Sequence, residues 1–126
     1  MATGNPRKPP AAKSIFVNCP FDDEFKTIFG AMVFTIIASG YHPRRVLDAT
    51  DGAEVRVAKI AIMIAECDWG IHDLSRVEVN RGKMPRFNMS MELGLHLGAL
   101  LIGEERHRRK RALILEAKRH RYDEIL

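Results

Sequence analysis

The sequence predicts a three-layer α/β sandwich with a parallel sheet. Short apolar segments typical of buried strands alternate with longer segments whose apolar residues recur at helical spacing. Such alternation implies crossover connections, which make the strands parallel and cover both faces of the sheet with helices. The 126 residues suffice for one domain of this type.

The first strand and the first helix have the clearest patterns. Residues 14–18 are short, β-branched and aromatic, which predicts a buried strand. In the turn that follows, Asp22 or Asp23 suits a helix N-cap. An apolar stripe at helical spacing comes next, and Gly40 ends it. The stripe consists of Phe25, Ile28, Phe29, Met32, Val33, Ile36 and Ile37.

The middle of the chain predicts a second strand, a second helix and a third strand. Residues 45–49 form the second strand and residues 69–74 the third. Between them, residues 54–67 show both periods. Ile60, Ile62 and Ile64 alternate as in a strand, whereas Val57, Ile60, Ile64 and Cys67 have helical spacing. The length of this segment, without Gly or Pro, favours a helix.

A third helix is predicted after Pro85 and a polar loop. Asn88 suits its N-cap, and Glu92 lies near the positive end of the helix dipole. Gly94 and Gly98 share one face, and because glycine is costly in a helix interior, they predict close approach of another backbone. A fourth strand is predicted over residues 112–115.

Composition excludes several classes of protein. A hydrophobic content of 46% with 29% charged residues indicates a globular chain. No apolar run reaches the ~20 residues of a membrane-spanning helix, so we expect a cytoplasmic protein without membrane contact. Residues 1–13 predict a disordered tail before a single domain over residues 14–126. The two cysteines and five histidines have no metal-ligand spacing, which predicts buried free thiols and no metal site.

A basic run near the C-terminus is the main feature of the net charge of +4. It comprises Arg106, Arg108, Arg109, Lys110 and Arg111. Such a run suits either phosphate or nucleic-acid binding, or a solvated surface segment. No aromatic residues interleave it to stack on bases.

Polar residues follow the strands at one predicted edge of the sheet. For a flavodoxin-like strand order 2-1-3-4, ligands bind between the carboxyl ends of the first and third strands. Residues from three separate segments converge there: Asn18 and Asp22, His72 and Asp73, and Asn88 with Glu92.

Most of these residues also have a purely structural interpretation. Asp73 suits an Asx turn with Ser75. His72 suits a buried structural position, as does His96 on the third helix. Asn18 and Asn88 can satisfy backbone groups, and Arg56 near the start of a helix can be solvated.

An ordered set of four motifs resembles the nucleoside 2-deoxyribosyltransferases and, more distantly, the TIR domains that cleave NAD. The motifs are Phe-Val-Asn-Cys-Pro-Phe-Asp (16–22), Gly-Ile-His-Asp-Leu-Ser-Arg (70–76), Arg-Phe-Asn-Met (86–89) and Glu-Leu-Gly (92–94). The resemblance spans residues 14–117. The chain departs from the transferases before the glutamate, where it has Asn-Met-Ser-Met in place of a sequence ending in glycine-threonine. A further strand and helix of such relatives are expected to be missing.

The resemblance implies cleavage or transfer of an N-glycosidic bond on a nucleoside, nucleotide or NAD, without a cofactor. Glu92 matches the nucleophile that attacks C1′ of the sugar. Asp73 would bind a ribose hydroxyl or protonate the leaving base. Asn18, Asp22 and Asn88 would position the sugar and base, and Arg56, Arg76 and Arg86 would bind a phosphate. Related enzymes complete their sites across subunits, which implies a homo-oligomer.

Three functions remain open at this point. The first is an enzyme related to N-glycosidases and deoxyribosyltransferases. The second is a non-catalytic nucleotide-sensing module of a bacterial defence or signalling system. The third is a nucleic-acid-binding protein that uses the basic run.

Overall fold

The computed structural model describes residues 7–20, 22–46, 53–75 and 87–118. Strands and helices alternate along the chain. In order, they are β1 (Ser14–Asn18), α1 (Lys26–Ala38), β2 (His42–Arg44), α2 (Ala53–Ala65), β3 (Trp69–Asp73), α3 (Phe87–Ile102) and β4 (Arg111–Leu115). Two short 3-10 helices, Ala11–Lys13 and Glu105–Arg109, precede β1 and β4.

The four strands form one parallel sheet in the order β2-β1-β3-β4. The predicted α/β class, the parallel sheet and the flavodoxin-like order 2-1-3-4 are therefore confirmed. Asn18 at the end of β1 pairs in register with His72 of β3, and Gly70 pairs with Ala112 of β4. The carboxyl ends of β1 and β3 consequently lie side by side, as the strand order requires.

Successive residues of β1 pack on opposite faces of the sheet, as the period of a strand demands. Phe16 packs with Ile60 and Ile64 of α2, whereas Val17 packs with Phe25 and Ile36 on the α1 side. A third cluster of buried residues joins α3 to the sheet through Leu74, Met89 and Leu93. Helix α1 therefore covers one face, and α2 and α3 cover the other.

The second strand lies earlier than the sequence predicts. The predicted strand over residues 45–49 is wrong for Arg45 and Val46, which follow β2, and its remaining residues lie outside the described part. Pro43 argues against a strand because it cannot donate to a ladder. β2 is nevertheless an edge strand, where a proline is tolerated.

Helix α1 only partly follows its predicted apolar stripe. Phe25 and Ile36 are buried, and Gly40, with φ of 83°, ends the helix as predicted. Ile28 and Ile37 are instead more than half exposed. Ile28 borders an apolar groove of about 810 Å³ on the α1 face of the sheet, where Trp69 and Leu113 are also exposed.

The described residues before β1 make contacts with the rest of the domain. The sequence predicts a disordered tail over residues 1–13, but Ala11–Lys13 forms a 3-10 helix whose Ala11 carbonyl accepts from the Asp68 amide at 3.0 Å. The Lys8 ammonium pairs with Glu66 at 2.6 Å. The backbone and charges of these residues thus find partners at the N-terminal edge of the sheet, and the disordered tail over residues 1–13 stays a prediction.

The two remaining helices confirm one prediction and correct another. The segment with two periods is helical, and Ile60 and Ile64 are its buried isoleucines. In α3, no described atom outside the local helix backbone lies within 4 Å of a Cβ built on Gly94 or Gly98. The predicted close approach of a second backbone therefore does not occur within the described residues.

Candidate functional site

A small cavity lies at the carboxyl end of β1, between the sheet and helices α2 and α3. Its polar lining comes from Asn18, Cys19, Arg56 and Glu92, and its apolar lining from Phe16, Val17, Val46 and Ile60. Its volume is about 10 Å³, roughly the space that one water needs. Three of the residues that the sequence predicts for the site, Asn18, Arg56 and Glu92, thus share one cavity.

Glu92 is buried because of its position on α3. Met89, Glu92, Leu93 and His96 fall at helical spacing on the face that packs against the rest of the domain, and all four are buried. Only 8% of Glu92 is exposed. Burial raises the pKa of its carboxyl to about 7, although the Arg56 guanidinium acts in the opposite direction. The carboxyl therefore changes charge near neutral pH, which is unusual for a glutamate.

Asn18 is fixed at the floor of the cavity by two hydrogen bonds. Its side-chain nitrogen Nδ2 donates to the backbone oxygen of Met89 at 2.8 Å and contacts His72 Nδ1 at 2.9 Å. Asn18 thereby ties the end of β1 to the first turn of α3. The structural role that the sequence analysis considered for this residue is present, and the same side chain lines the cavity.

Cys19 also lines the cavity, although its sequence context predicts only a buried free thiol. It is buried, and burial raises the pKa of its thiol to about 11, so it is a neutral thiol at pH 7. Both cysteines are free and buried, as predicted. A thiol in this state is a poor nucleophile, which leaves Glu92 as the reactive group of the cavity.

The two predicted aspartates make local contacts. Asp73 Oδ1 accepts from the Ser75 amide at 2.9 Å and from the Ser75 hydroxyl. This is the predicted Asx turn. Asp22 Oδ1 accepts from the Phe25 amide at 2.8 Å in the turn before α1. Neither aspartate lines the cavity around Glu92.

The other predicted site residues lie wholly or partly outside the described structure. Arg76 and Arg86 belong to residues that the structure does not describe. Asn88 belongs to α3, but its side chain is not described. Because α3 begins at Phe87, Asn88 lies within the first turn and not at the predicted N-cap.

A buried pair of histidines lies behind Asn18. His72 and His96 have no exposed surface, and their rings are 5.1 Å apart in an edge arrangement. Burial lowers the pKa of His72 to about 3, with a further contribution from His96. It also lowers the pKa of His96 to about 4, together with the nearby Lys110 charge. Both imidazoles are therefore neutral at pH 7. The sequence places these residues in the core but does not indicate that they meet.

Lys110 has a role that its sequence context hides. The basic run suggests a solvated segment, but Lys110 is fully buried, and its ammonium donates to the backbone oxygens of Ile64 at 2.6 Å and Cys67 at 2.5 Å. It thereby satisfies carbonyls at the C-terminal end of α2. Arg106, Arg108 and Arg109 are exposed beside Glu104 and Glu105, and Arg106 pairs with Glu104 at 3.2 Å.

In the described ranges, no group of three or more His, Cys, Asp or Glu side chains could hold a metal ion. The described helices include none long and apolar enough to cross a membrane. No protein-family model matches the chain, and no curated protein matches it. The site must therefore be interpreted from its own geometry: a buried carboxyl at the carboxyl edge of a parallel sheet.

Proposed function

We propose that this protein cleaves or transfers an N-glycosidic bond of a nucleoside, a nucleotide or NAD, with Glu92 as the nucleophile. One observation carries the proposal: Glu92 is a buried carboxyl beside Arg56 and Asn18, in a cavity at the carboxyl end of β1. Ligands of open parallel sheets bind at this edge. A carboxyl with a perturbed pKa in such a cleft is a candidate catalytic group.

The proposed reaction has two steps. An oxygen of the Glu92 carboxylate forms a bond to C1′ while the bond from C1′ to the base nitrogen breaks. A nucleobase leaves with that electron pair and takes a proton from water, whereas the nicotinamide of NAD leaves as a neutral molecule without one. A water molecule, or a second base in the transfer reaction, then forms a bond to C1′, loses a proton to the solvent and displaces the glutamate as a carboxylate.

The remaining polar residues take binding roles in this proposal. Asn18 accepts from a sugar hydroxyl at the cavity mouth, and the Arg56 guanidinium interacts with a phosphate or with the charge of Glu92. Asp73 suits a ribose hydroxyl better than proton donation, because its Oδ1 already accepts two hydrogen bonds. Asp22, Arg76, Arg86 and Asn88 keep the substrate-binding roles that the resemblance implies.

A homo-oligomer remains part of the proposal. It is supported by the apolar groove on the α1 face, whose exposed residues include Trp69, at 41% exposure, and Leu113, at 55%. Contiguous exposed apolar surface of this kind is typical of an interaction surface. Sedimentation of the purified protein over a range of concentrations measures its association state.

A non-catalytic nucleotide sensor is the second candidate, because the cavity beside Glu92 has room for only about one water. In this second candidate, a ligand contacts Glu92 only with its outermost atoms, which suffices for recognition but not for attack on C1′. A nucleic-acid-binding protein is less well supported, since Lys110 is buried and Arg106 is paired with Glu104.

Incubation with nucleosides, nucleotides and NAD tests the proposal, with liberated base measured by chromatography. We expect the wild type to release base and Glu92→Gln to lose at least about 100-fold in rate, since a nucleophile is removed. Glu105→Gln, which removes an exposed carboxyl, is the matched control and should keep the wild-type rate. Nucleotide binding without release, unchanged in Glu92→Gln, would support the sensor instead.

A further inference from the structure

A line of buried polar groups connects Asn18 to the far strand of the sheet. Asn18 Nδ2 donates to the Met89 carbonyl, which can only accept, so this atom is identified as the amide nitrogen. Its other hydrogen points to His72 Nδ1 at 2.9 Å. His72 Nδ1 is therefore the acceptor, and the proton of the neutral ring is on Nε2.

His96 has the complementary arrangement on α3. Its Nε2 lies 3.0 Å from the backbone oxygen of Arg111 in β4, which can only accept, so Nε2 carries the proton. His96 Nδ1 of the neutral ring is then a lone-pair acceptor. Among the described residues, neither His72 Nε2 nor His96 Nδ1 has a hydrogen-bond partner. A donor on one ring and an acceptor on the other thus occupy the same buried region.

Both atoms lie beside Gly70, in space that a side chain at this position would occupy. A Cβ built on Gly70 would lie 2.6 Å from His72 Nε2 and 2.9 Å from His96 Nδ1. Both contacts are shorter than any side chain tolerates without movement. Gly70 and His72 are two residues apart on β3, so they face the same side of the sheet. Any larger residue at position 70 would push the rings apart.

We propose that His72 and His96, with the space provided by Gly70, are positioning residues that lock the amide of Asn18 so that it presents only an acceptor to the cavity. Both amide hydrogens are used on the inner side, and Oδ1 is the one polar atom of the amide left for a ligand. The His96 ring packs edge-on against the His72 ring, with 5.1 Å between the ring centres, and the Arg111 carbonyl fixes the His96 ring through its bond to Nε2. The chain of contacts runs from β4 through α3 and β3 to β1.

This arrangement defines the ligand group that Asn18 recognises. An oxygen acceptor in the cavity that Glu92 also lines favours a hydroxyl or N–H donor and disfavours a carbonyl or phosphate oxygen at the same point. The part of the inference that concerns recognition rests on the proposed function, in which the hydroxyl belongs to the sugar. The part that concerns the tautomers and the locked amide holds for the protein without ligand.

Nitrogen-15 NMR of the wild-type protein at pH 7 tests the locked amide directly. We expect His72 and His96 both to carry their proton on Nε2. The Asn18 side-chain amide protons should exchange with solvent at least about tenfold more slowly than those of an exposed asparagine. A proton on Nδ1 of either histidine, or fast exchange at Asn18, would overturn the inference.

Two substitutions at one position separate positioning from packing. In His72→Asn the new side-chain oxygen occupies the place of Nδ1 and still accepts from Asn18, whereas His72→Leu removes the acceptor. We expect slow exchange at Asn18 to be kept in His72→Asn and lost in His72→Leu and in Gly70→Ala. His42→Leu, at an exposed histidine, is the control for the loss of an imidazole.

Kinetics of base release then test recognition. We expect His72→Leu to raise KM about tenfold, which corresponds to about 1.4 kcal/mol, with a much smaller change in kcat and with rescue by His72→Asn. Equal KM values in the wild type, His72→Leu and His72→Asn would overturn the inference while leaving the proposed function intact. Slow amide exchange together with no base release from the wild type would remove the proposed function and support the locked amide alone.

Discussion

Glu92 combines two properties that ordinarily conflict. It lies on the buried face of α3 between Met89 and His96, yet it is an ionisable group. Ordinary burial removes water from the carboxylate and favours the neutral acid, which is the direction of the shift in its pKa. Arg56 opposes this effect only in part. An apolar side chain would therefore be more favourable for stability at this buried position than Glu92 is.

The rate of base release should depend on pH through this carboxyl. Because burial raises the Glu92 pKa to about 7, the nucleophilic carboxylate forms only above that pH. We expect kcat/KM, which reports the free enzyme, to rise about tenfold per pH unit below pH 6 and to level off near pH 8. A rate measured between pH 5 and 9 checks this, with circular dichroism at each pH as the control for folding. A constant rate over this range would contradict the role of Glu92 as a nucleophile.

The elements are joined at their ends by side chains distant in sequence. The ammonium of Lys110, just before β4, donates to two carbonyl oxygens at the end of α2. Carbonyls at the C-terminal end of a helix lack partners within the helix, and the buried end of α2 needs such a donor. Asn18 makes a different connection, because its Nδ2 donates to the Met89 carbonyl in the first turn of α3 and so joins the end of β1 to that helix. These contacts fix α2 and α3 on the face of the sheet that bears the cavity.

Removal of the Lys110 ammonium should destabilise the protein. Lys110→Met keeps most of the buried aliphatic chain but removes the ammonium that donates to the Cys67 carbonyl, and leaves the Ile64 carbonyl with only the Cys67 amide as donor. We expect a loss of about 1–3 kcal/mol in the free energy of unfolding. Denaturation by urea measures the loss. Arg109→Met, at the adjacent exposed arginine, should change the stability by less than about 0.5 kcal/mol. Equal effects of the two substitutions would show that the carbonyl contacts contribute little.

The local sequence pattern predicts a strand or helix well where the element's own apolar residues decide which side is buried. Phe16 and Val17 alternate between the two faces, and Ile60 with Ile64 defines the buried side of α2, so both elements follow from local pattern. The strand order comes instead from the flavodoxin-like topology expected for alternating strands and helices, and the sheet confirms it. The prediction of β2 is wrong because Pro43 argues against a strand at that position. A proline is tolerated in an edge strand, and the position of β2 at the edge is known only from the assembled sheet. For the site, spacing brings Asn18 and Glu92 together. The contacts of His72 with His96 and of Lys110 with α2 depend on tertiary distances that no local pattern encodes.

At the scale of the whole molecule, the buried ionisable groups on the α2 and α3 side have opposite effects on how the stability of the fold depends on pH. His72 and His96 have lowered pKa values, so the unfolded chain binds more protons there at mildly acidic pH. Glu92 has a raised pKa, so the native protein binds the extra proton at that residue. Acidification therefore destabilises the fold through the histidines and stabilises it through the glutamate.

The slope of stability against pH should reveal this balance. Between pH 5 and 6, the unfolded chain binds about two more protons than the native protein at His72 and His96. The native protein binds about one more at Glu92, so the unfolded chain holds a net excess of about one proton. Acidification by one pH unit therefore lowers the free energy of unfolding by roughly 1.4 kcal/mol. Glu92→Gln removes the opposing group, and we expect the slope to become about twice as steep. His107, whose pKa burial also lowers, adds to the slope in both proteins.

Urea denaturation at several pH values within this window measures both slopes. Glu105→Gln, at an exposed carboxyl, should keep the wild-type slope, because its removal leaves the three buried groups unchanged. If Glu92→Gln also keeps that slope, then the Glu92 carboxyl is ionised in the native protein throughout the window, and it is not shielded from water as its burial implies. Such a result would remove the physical basis for its titration near neutral pH and for the pH dependence expected of base release.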